Sequence, residues 1–153
     1  NLAINVSNKL GRTVNIFDSY CPIHAALKST DILKIKEQYP DAKVLVHPEC
    51  NPEVVKLADY VGSTGGMIDY TNNSDGNCFV IATEHGITHP IQKSNPAKKL
   101  IMASEEMICT DMKTITLEKI LSSLENMATV ITVPENIRIP AARALEKMIA
   151  YSS

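Results

Sequence analysis

At 153 residues, 44% of them hydrophobic, the chain is long enough to bury a real core and suits one domain or two small ones. Its 15 basic and 17 acidic side chains leave a net charge of −2 with no basic run, which argues against nucleic acid or an anionic membrane surface as partner. No apolar stretch approaches the roughly 18 residues that span a bilayer and no secretory signal pattern is present, so a cytoplasmic protein is expected, its natural start upstream of Asn1.

In chain order, residues Ile4 to Lys9 read as the tail of a helix that Gly11 ends. Thr13-Val14-Asn15-Ile16-Phe17 alternates and runs apolar, which predicts a strand closing at Asp18-Ser19-Tyr20-Cys21-Pro22. His24 follows Cys21 closely enough for both to face one cavity at the mouth of the next helix. Ser29-Thr30-Asp31 offers an N-cap, and Ile32, Leu33, Ile35 and Tyr39 mark one face of a helix that ends before Pro40.

Pro40-Asp41-Ala42 then turns the chain into Val44-Leu45-Val46, a short aliphatic run of the kind that forms a fully buried strand. At its end come His47, Pro48, Glu49 and Cys50. Open α/β sheets bind ligands outside the carboxyl ends of their strands, so an imidazole and a carboxylate there are candidate acid–base groups. Pro48 fixes φ and removes a donor, which stops the strand and directs its neighbours. A capped strand end with a surface His and Glu has the same pattern.

Pro52-Glu53 opens a short helix carrying Val54, Val55 and Leu57. Asp59-Tyr60-Val61 then runs as a strand into Gly62-Ser63-Thr64-Gly65-Gly66 and an apolar helix start, where N–H groups and hydroxyls can hold an anion. No Lys follows, so this is not a nucleotide-binding P-loop. Tyr70 to Asn77 is polar and predicts a turn, and Cys78-Phe79-Val80-Ile81-Ala82 predicts another buried strand. His85 and His89 have helical metal spacing, but no third ligand is near them in sequence. Leu100 to Ala103 predicts a further strand, Thr116 caps an amphipathic helix over 116–124, Val130 to Val133 reads as extended, and residues from Pro134 on form a terminal amphipathic helix. Alternating strands and helices predict an α/β fold with small parallel-sheet layers.

The four cysteines lack paired CxxC spacing, and a disulfide framework is not expected. Cys78 lies inside a strand pattern and reads as core. Cys21, Cys50 and Cys109 stand at loop ends, where a thiol can meet a metal or simply pack.

Tyr20-Cys21-Pro22-Ile23-His24, Val46-His47-Pro48-Glu49-Cys50, Val61-Gly62-Ser63-Thr64 and Cys109-Thr110-Asp111-Met112-Lys113-Thr114-Ile115-Thr116-Leu117 together resemble the A-type quinolinate synthases in order and spacing. The resemblance continues through Val133-Pro134-Glu135-Asn136-Ile137 and covers essentially the whole chain. It implies a remainder of a three-domain, pseudo-threefold fold: residues 1–20 ending the middle domain, 21–108 forming the third α/β domain, and 109–153 the cluster-ligand loop and C-terminal helices. It implies an enzyme of NAD biosynthesis that condenses iminosuccinate with dihydroxyacetone phosphate to quinolinate, coupled to an enzyme oxidising L-aspartate. The implied cofactor is a [4Fe–4S] cluster on three cysteines, with one iron open as a Lewis acid.

Carried over residue by residue, Cys21 and Cys109 match cluster ligands, the third falling in an N-terminal part that precedes this chain. His47 and Glu49 match catalytic and substrate-binding groups, and Ser63 and Thr64 the turn that holds the substrate's anionic end. His24 matches a histidine beside a ligand, with a supporting or proton-moving role, and Cys50 matches no ligand. The family's chains are roughly twice this length, so this half alone is expected to be inactive. Two other readings stay open: a non-catalytic binding module of the same fold, and a mononuclear metalloprotein using Cys21, His24, His47 and Glu49.

Overall fold

The computed structural model describes residues 1–151. Two aliphatic runs dictate its centre. Strand β1 (Lys43–Val46) and strand β3 (Cys78–Ala82) lie side by side, with Val44, Leu45, Val46, Phe79, Val80, Ile81 and Ala82 all at 0% exposure. Both faces of such strands are covered, which is why their sequences run apolar instead of alternating. Strand β2 (Tyr60–Val61) flanks β1, and β4 (Lys99–Met102) flanks β3, giving an all-parallel sheet in the order β2-β1-β3-β4.

The pleat sorts the core into two layers. Val44, Val46, Val80 and Ala82 pack with Leu27, Ile32 and Val54, while Leu45, Phe79 and Ile81 pack with Met67, Ile87 and Ile91 on the other face. The first layer is closed by helices α2 (Pro22–Ala26), α3 (Ser29–Gln38) and α4 (Pro52–Val55); the second by α5 (Thr64–Asn73) and α6 (Thr88–Ser94). Helix α1 (Leu2–Leu10) ends at Gly11, whose φ of 63° is the left-handed conformation that closes a helix at least cost for glycine.

Several sequence expectations are corrected. Residues 13–17 form no strand; among the described residues no strand pairs with them, and Ile16 and Phe17 are exposed. Alternation without a partner ladder does not hold a strand. Ser29 is already helical, the cap being Lys28, whose N–H donates to the Asp31 carboxylate (3.1 Å). Helix α5 continues through residues 70–73, where composition predicted a turn. Met67 and Thr71 anchor it in the core, and Lys98 Nζ donates to the carbonyls of Thr71 and Ser74 at its end. After β3 the single turn His85–Ile87 and α6 were not anticipated; Ile87 and Ile91, one helical turn apart, tether them.

The chain divides into two compact units, Asn1–Thr110 and residues from Asp111 on. The second contains α8 (Leu117–Asn126), capped by the Thr116 hydroxyl accepting from Lys119 N–H (3.3 Å), and α9 (Glu135–Ala150), which carries Pro140 inside it; α7 (Thr110–Lys113) is a single turn at the division. Residues 130–133, expected to be extended, join no strand. No helix among the described residues is long and apolar enough to cross a membrane.

Strand order fixes where chemistry can happen. The connection from β1 leads outward to β2, and the chain then crosses β1 to enter β3 and continue to β4. The carboxyl ends of β1 and β3 therefore sit at the topological switch point, where departing connections open a crevice.

Candidate functional site

Four loops meet at that switch point. Behind β1, His47-Pro48-Glu49-Cys50 forms a tight turn in which Cys50 N–H donates to the His47 carbonyl (3.0 Å), and His47 N–H continues the sheet ladder onto Ala82 O (3.1 Å). Asn5 of α1 straps this turn from outside: its buried side-chain amide donates to the carbonyls of Pro48 (2.9 Å) and Cys50 (2.8 Å). Asn51 reaches the other way, donating to the Ala25 carbonyl (2.8 Å) and so docking α2, with Cys21 at its N-cap and His24 within it, against the same turn.

The result is a compact acid–base group. The imidazoles of His24 and His47 stack with centroids 4.5 Å apart and an interplanar angle of 23°. Glu49 Oε2 lies 3.3 Å from His24 Nδ1 and 3.7 Å from His47 Nδ1. On its far side His24 Nε2 shares a 2.9 Å hydrogen bond with the hydroxyl of buried Thr83, the residue that follows β3. Glu49 N–H donates to His47 Nδ1 (3.3 Å), which places the proton of neutral His47 on Nε2.

Burial holds His24 below its ordinary range, reinforced by neighbouring His47 and opposed by Glu49 and Glu84. His47 is lowered by burial as well, against the pull of Glu49. Both imidazoles are thus neutral near pH 7, the form that accepts a proton or donates a lone pair to a metal. His24 Nδ1 is buried and, despite its closeness to Glu49, makes no aligned hydrogen bond. An orphaned buried nitrogen is costly unless something else uses its lone pair.

That orphan sits beside two other potential metal ligands. One donor atom each from Cys21, His24 and Glu49 lie within 4.8 Å of one another, close enough to share a metal ion. Cys21 and Glu49 also open onto a cleft of about 610 Å³ walled by Val14, Ile16, Phe17 and Tyr20. Cys50 differs: its thiol is fully buried, lies 3.6 Å from Ala82 O, and is pushed up to about 12 by burial, which favours the protonated thiol. Cys109 is half-buried, and its N–H donates to the Glu84 carboxylate (3.4 Å) at the end of β3.

The Gly62–Gly66 turn follows β2 on the same edge of the sheet. Ser63 rather than Thr64 caps α5, its hydroxyl accepting from Gly66 N–H (3.2 Å), and both residues are exposed. Tyr60 fits against the turn so closely that a side chain at Gly62 or Gly66 would strike its ring or hydroxyl. His85 and His89 are exposed and belong to no metal-capable group among the described residues.

The structure therefore brings Cys21, His24, His47 and Glu49 together, though His47 stacks on the trio instead of joining it. Sequence reasoning missed Asn5, Asn51, Thr83 and Glu84. The signal for the last two was present: Thr83-Glu84 follows a buried strand just as His47-Pro48-Glu49 does, and the same strand-end rule applied to β3 selects them.

Comparison with known proteins matches residues 1–150 to the family described as quinolinate synthetase A protein. The chain belongs to this family. It is 46% identical over 150 residues to a quinolinate synthase of Geotalea uraniireducens, covering 98% of this chain and 49% of that protein. A quinolinate synthase of Methanosarcina barkeri is 44% identical with the same coverages, and one of Dehalococcoides mccartyi is 50% identical over 130 residues, covering 85% of this chain and 43% of that protein. The chain spans about half the length of the curated relatives it matches.

Proposed function

We propose that this chain supplies the acid–base half of a quinolinate synthase site and two of three cysteine ligands to a [4Fe–4S] cluster, Cys21 and Cys109. The third ligand falls in the part of the relatives that this chain does not span. The observation that carries the proposal is the packing of Cys21, His24 and Glu49 around a shared space at the sheet's switch point, with orphaned His24 Nδ1 facing into it. The donor set suits the group: Cys21 is a soft ligand at a loop end, while Cys50, the other sulfur nearby, is held as a thiol. When bound, the cluster supplies a Lewis-acidic iron to a substrate oxygen or nitrogen.

The protein's own groups do the rest. Joining iminosuccinate to dihydroxyacetone phosphate requires loss of inorganic phosphate, proton removal from carbon, and protonation of hydroxyls that depart as water. His47 and Glu49, 3.7 Å apart, form a pair able to take and return those protons. Neutral His24, fixed by Thr83 at Nε2, stands beside Glu49 as a supporting or proton-moving group. The Ser63 hydroxyl, free to donate because its oxygen already accepts from Gly66, and the first N–H groups of α5 bind the anionic end of the substrate, with Thr64 beside them. The reaction is cytoplasmic in this reading, and an enzyme oxidising L-aspartate supplies the unstable imine. The half-length chain alone neither completes the cluster nor turns over.

Anaerobic reconstitution of the full-length enzyme tests this. Cys21→Ala or Cys109→Ala should remove the cluster's visible absorption and reduce activity to background, while Cys50→Ala should keep most of both. A full cluster in either of the first two variants rejects the ligand assignment. A second reading, a mononuclear divalent site, is favoured by the same Cys21–His24–Glu49 trio. Elemental analysis separates the two: zinc without sulfide would establish the mononuclear site, and iron with equimolar sulfide the cluster.

A further inference from the structure

The loop that delivers Cys109 is anchored in steps. Ala103 N–H extends the sheet ladder onto Ile81 O (2.9 Å), and Met107, 2% exposed, accepts at its carbonyl from His85 N–H (2.9 Å). Beyond Met107 the anchoring changes character, since Ile108 is exposed and Cys109 N–H turns to a side chain, Glu84 Oε1, at 3.4 Å. The other oxygen of that carboxylate accepts from Gly86 N–H at 2.7 Å. Two N–H groups from separate loops thus converge on one carboxylate.

We infer that Glu84 is a positioning residue for the Cys109 thiol, its carboxylate bridging the end of β3 to the cysteine's main chain and holding the sulfur at the carboxyl edge of the sheet. This rests on the reading of Cys109 as a cluster ligand. A carboxylate is suited to the task because it presents two acceptor oxygens and no donor. Its charge strengthens both bonds beyond what a neutral acceptor gives. Glu84 directly follows Thr83, whose hydroxyl shares a hydrogen bond with His24 of the Cys21–His24–Glu49 trio. Thr83 and Glu84, adjacent in sequence, then divide the work: the first holds His24 and the second holds Cys109.

The geometry separates glutamine from glutamate. A glutamine side chain in this place would keep one acceptor oxygen, which stays on the shorter Gly86 bond and turns an amide N–H₂ toward Cys109 N–H. Glu84→Gln should therefore behave like Glu84→Ala at the cysteine while sparing the turn at residues 84–87.

The test uses the full-length enzyme with Glu84→Gln, Glu84→Ala and Cys109→Ala. In the metal-free protein, the rate of Cys109 alkylation by iodoacetamide is measured by mass spectrometry against Cys21 in the same sample. Loss of a charge-assisted bond should raise that ratio about three- to tenfold in both Glu84 variants. A variant that unfolds as a whole speeds both thiols alike and leaves the ratio flat; Glu84→Gln, which keeps its turn, then decides. After reconstitution, bound iron and sulfide should fall toward the Cys109→Ala level. An unchanged ratio and full iron in Glu84→Gln, beside a Cys109→Ala protein without cluster, overturns the inference alone. A Cys109→Ala protein that keeps its cluster overturns the ligand reading, and the inference with it.

Discussion

Both units of this chain carry apolar residues at regular spacing, but they meet different fates. In Asn1–Thr110 the apolar positions of β1 and β3 are shut from solvent on both sides. In the stretch from Asp111 on, the apolar positions of α8 stand open, with Leu117 80%, Leu121 56% and Leu124 70% exposed. Helix α8 is well specified locally, with a Thr116 cap and an acidic first turn at Glu118. An amphipathic pattern says which face of a helix wants cover, whereas burial depends on having a layer to meet it. Cap and pattern give α8 its helix; the sheet of the first unit, with layers on both faces, gives that unit its core.

The sharpest way to break this contrast is to cut into each unit in turn. Phe79 is completely buried beside Lys98, whose Nζ sits 5.6 Å from its ring centroid. Phe79→Ala should cost about 3–5 kcal/mol in denaturant unfolding, the range for deleting a buried aromatic. Leu121→Ala in α8 should stay within about 0.5 kcal/mol. Comparable losses from the two would mean that α8 is packed after all.

The polar strap between α1 and the His47–Cys50 turn comes next in size. Asn5→Ala removes two hydrogen bonds and leaves the carbonyls of Pro48 and Cys50 without their partner, an expected loss of about 2 kcal/mol. Because the same strap shapes the site, the distance between His24 and His47 should grow as well. Loss of stability without any change in the histidine NMR shifts would separate the strap from the site.

A smaller effect follows pH. His24 and His47 both titrate below 6.5 when folded because burial disfavours their charged forms. Between the folded values and 6.5 the unfolded chain binds more protons, so stability rises with pH there. The contribution is complete above about 6.5 and is lost as pH falls through that value toward the folded pKa of each imidazole. Unfolding midpoints from pH 8 down to about 5 should therefore fall, and His47→Gln should flatten part of the slope. A flat profile in the parent chain would place both imidazoles in water.

How much of this was legible beforehand divides along the same line. Val44-Leu45-Val46 and Cys78-Phe79-Val80-Ile81-Ala82 announce buried parallel strands because period and composition agree, and Gly11 and Thr116 announce helix ends through local chemistry. The stretch 13–17 misled because alternation is a property of one segment and a strand needs two. Helix 70–73 was hidden because its stabilising contacts, from Lys98, come from 24 or more residues away. At the site, His47 and Glu49 were visible as a strand-end pair. The convergence of Cys21 and His24 on Glu49 depends on Asn51 docking α2, which no local pattern encodes.

The smallest effect tests what holds α8. Thr116 accepts at its hydroxyl from Lys119 N–H, satisfying one of the donors that every helix start leaves open. With no buried face among the described residues of this helix, local terms carry its order, so Thr116→Ala should cost about 1 kcal/mol of helix stability. The place to read it is amide hydrogen exchange, where residues 117–120 should lose protection while β1 and β3 keep theirs. Equal loss in the strands would mean that α8 and the sheet open as one cooperative unit, and exposure alone would then be a poor guide to how the two regions are coupled.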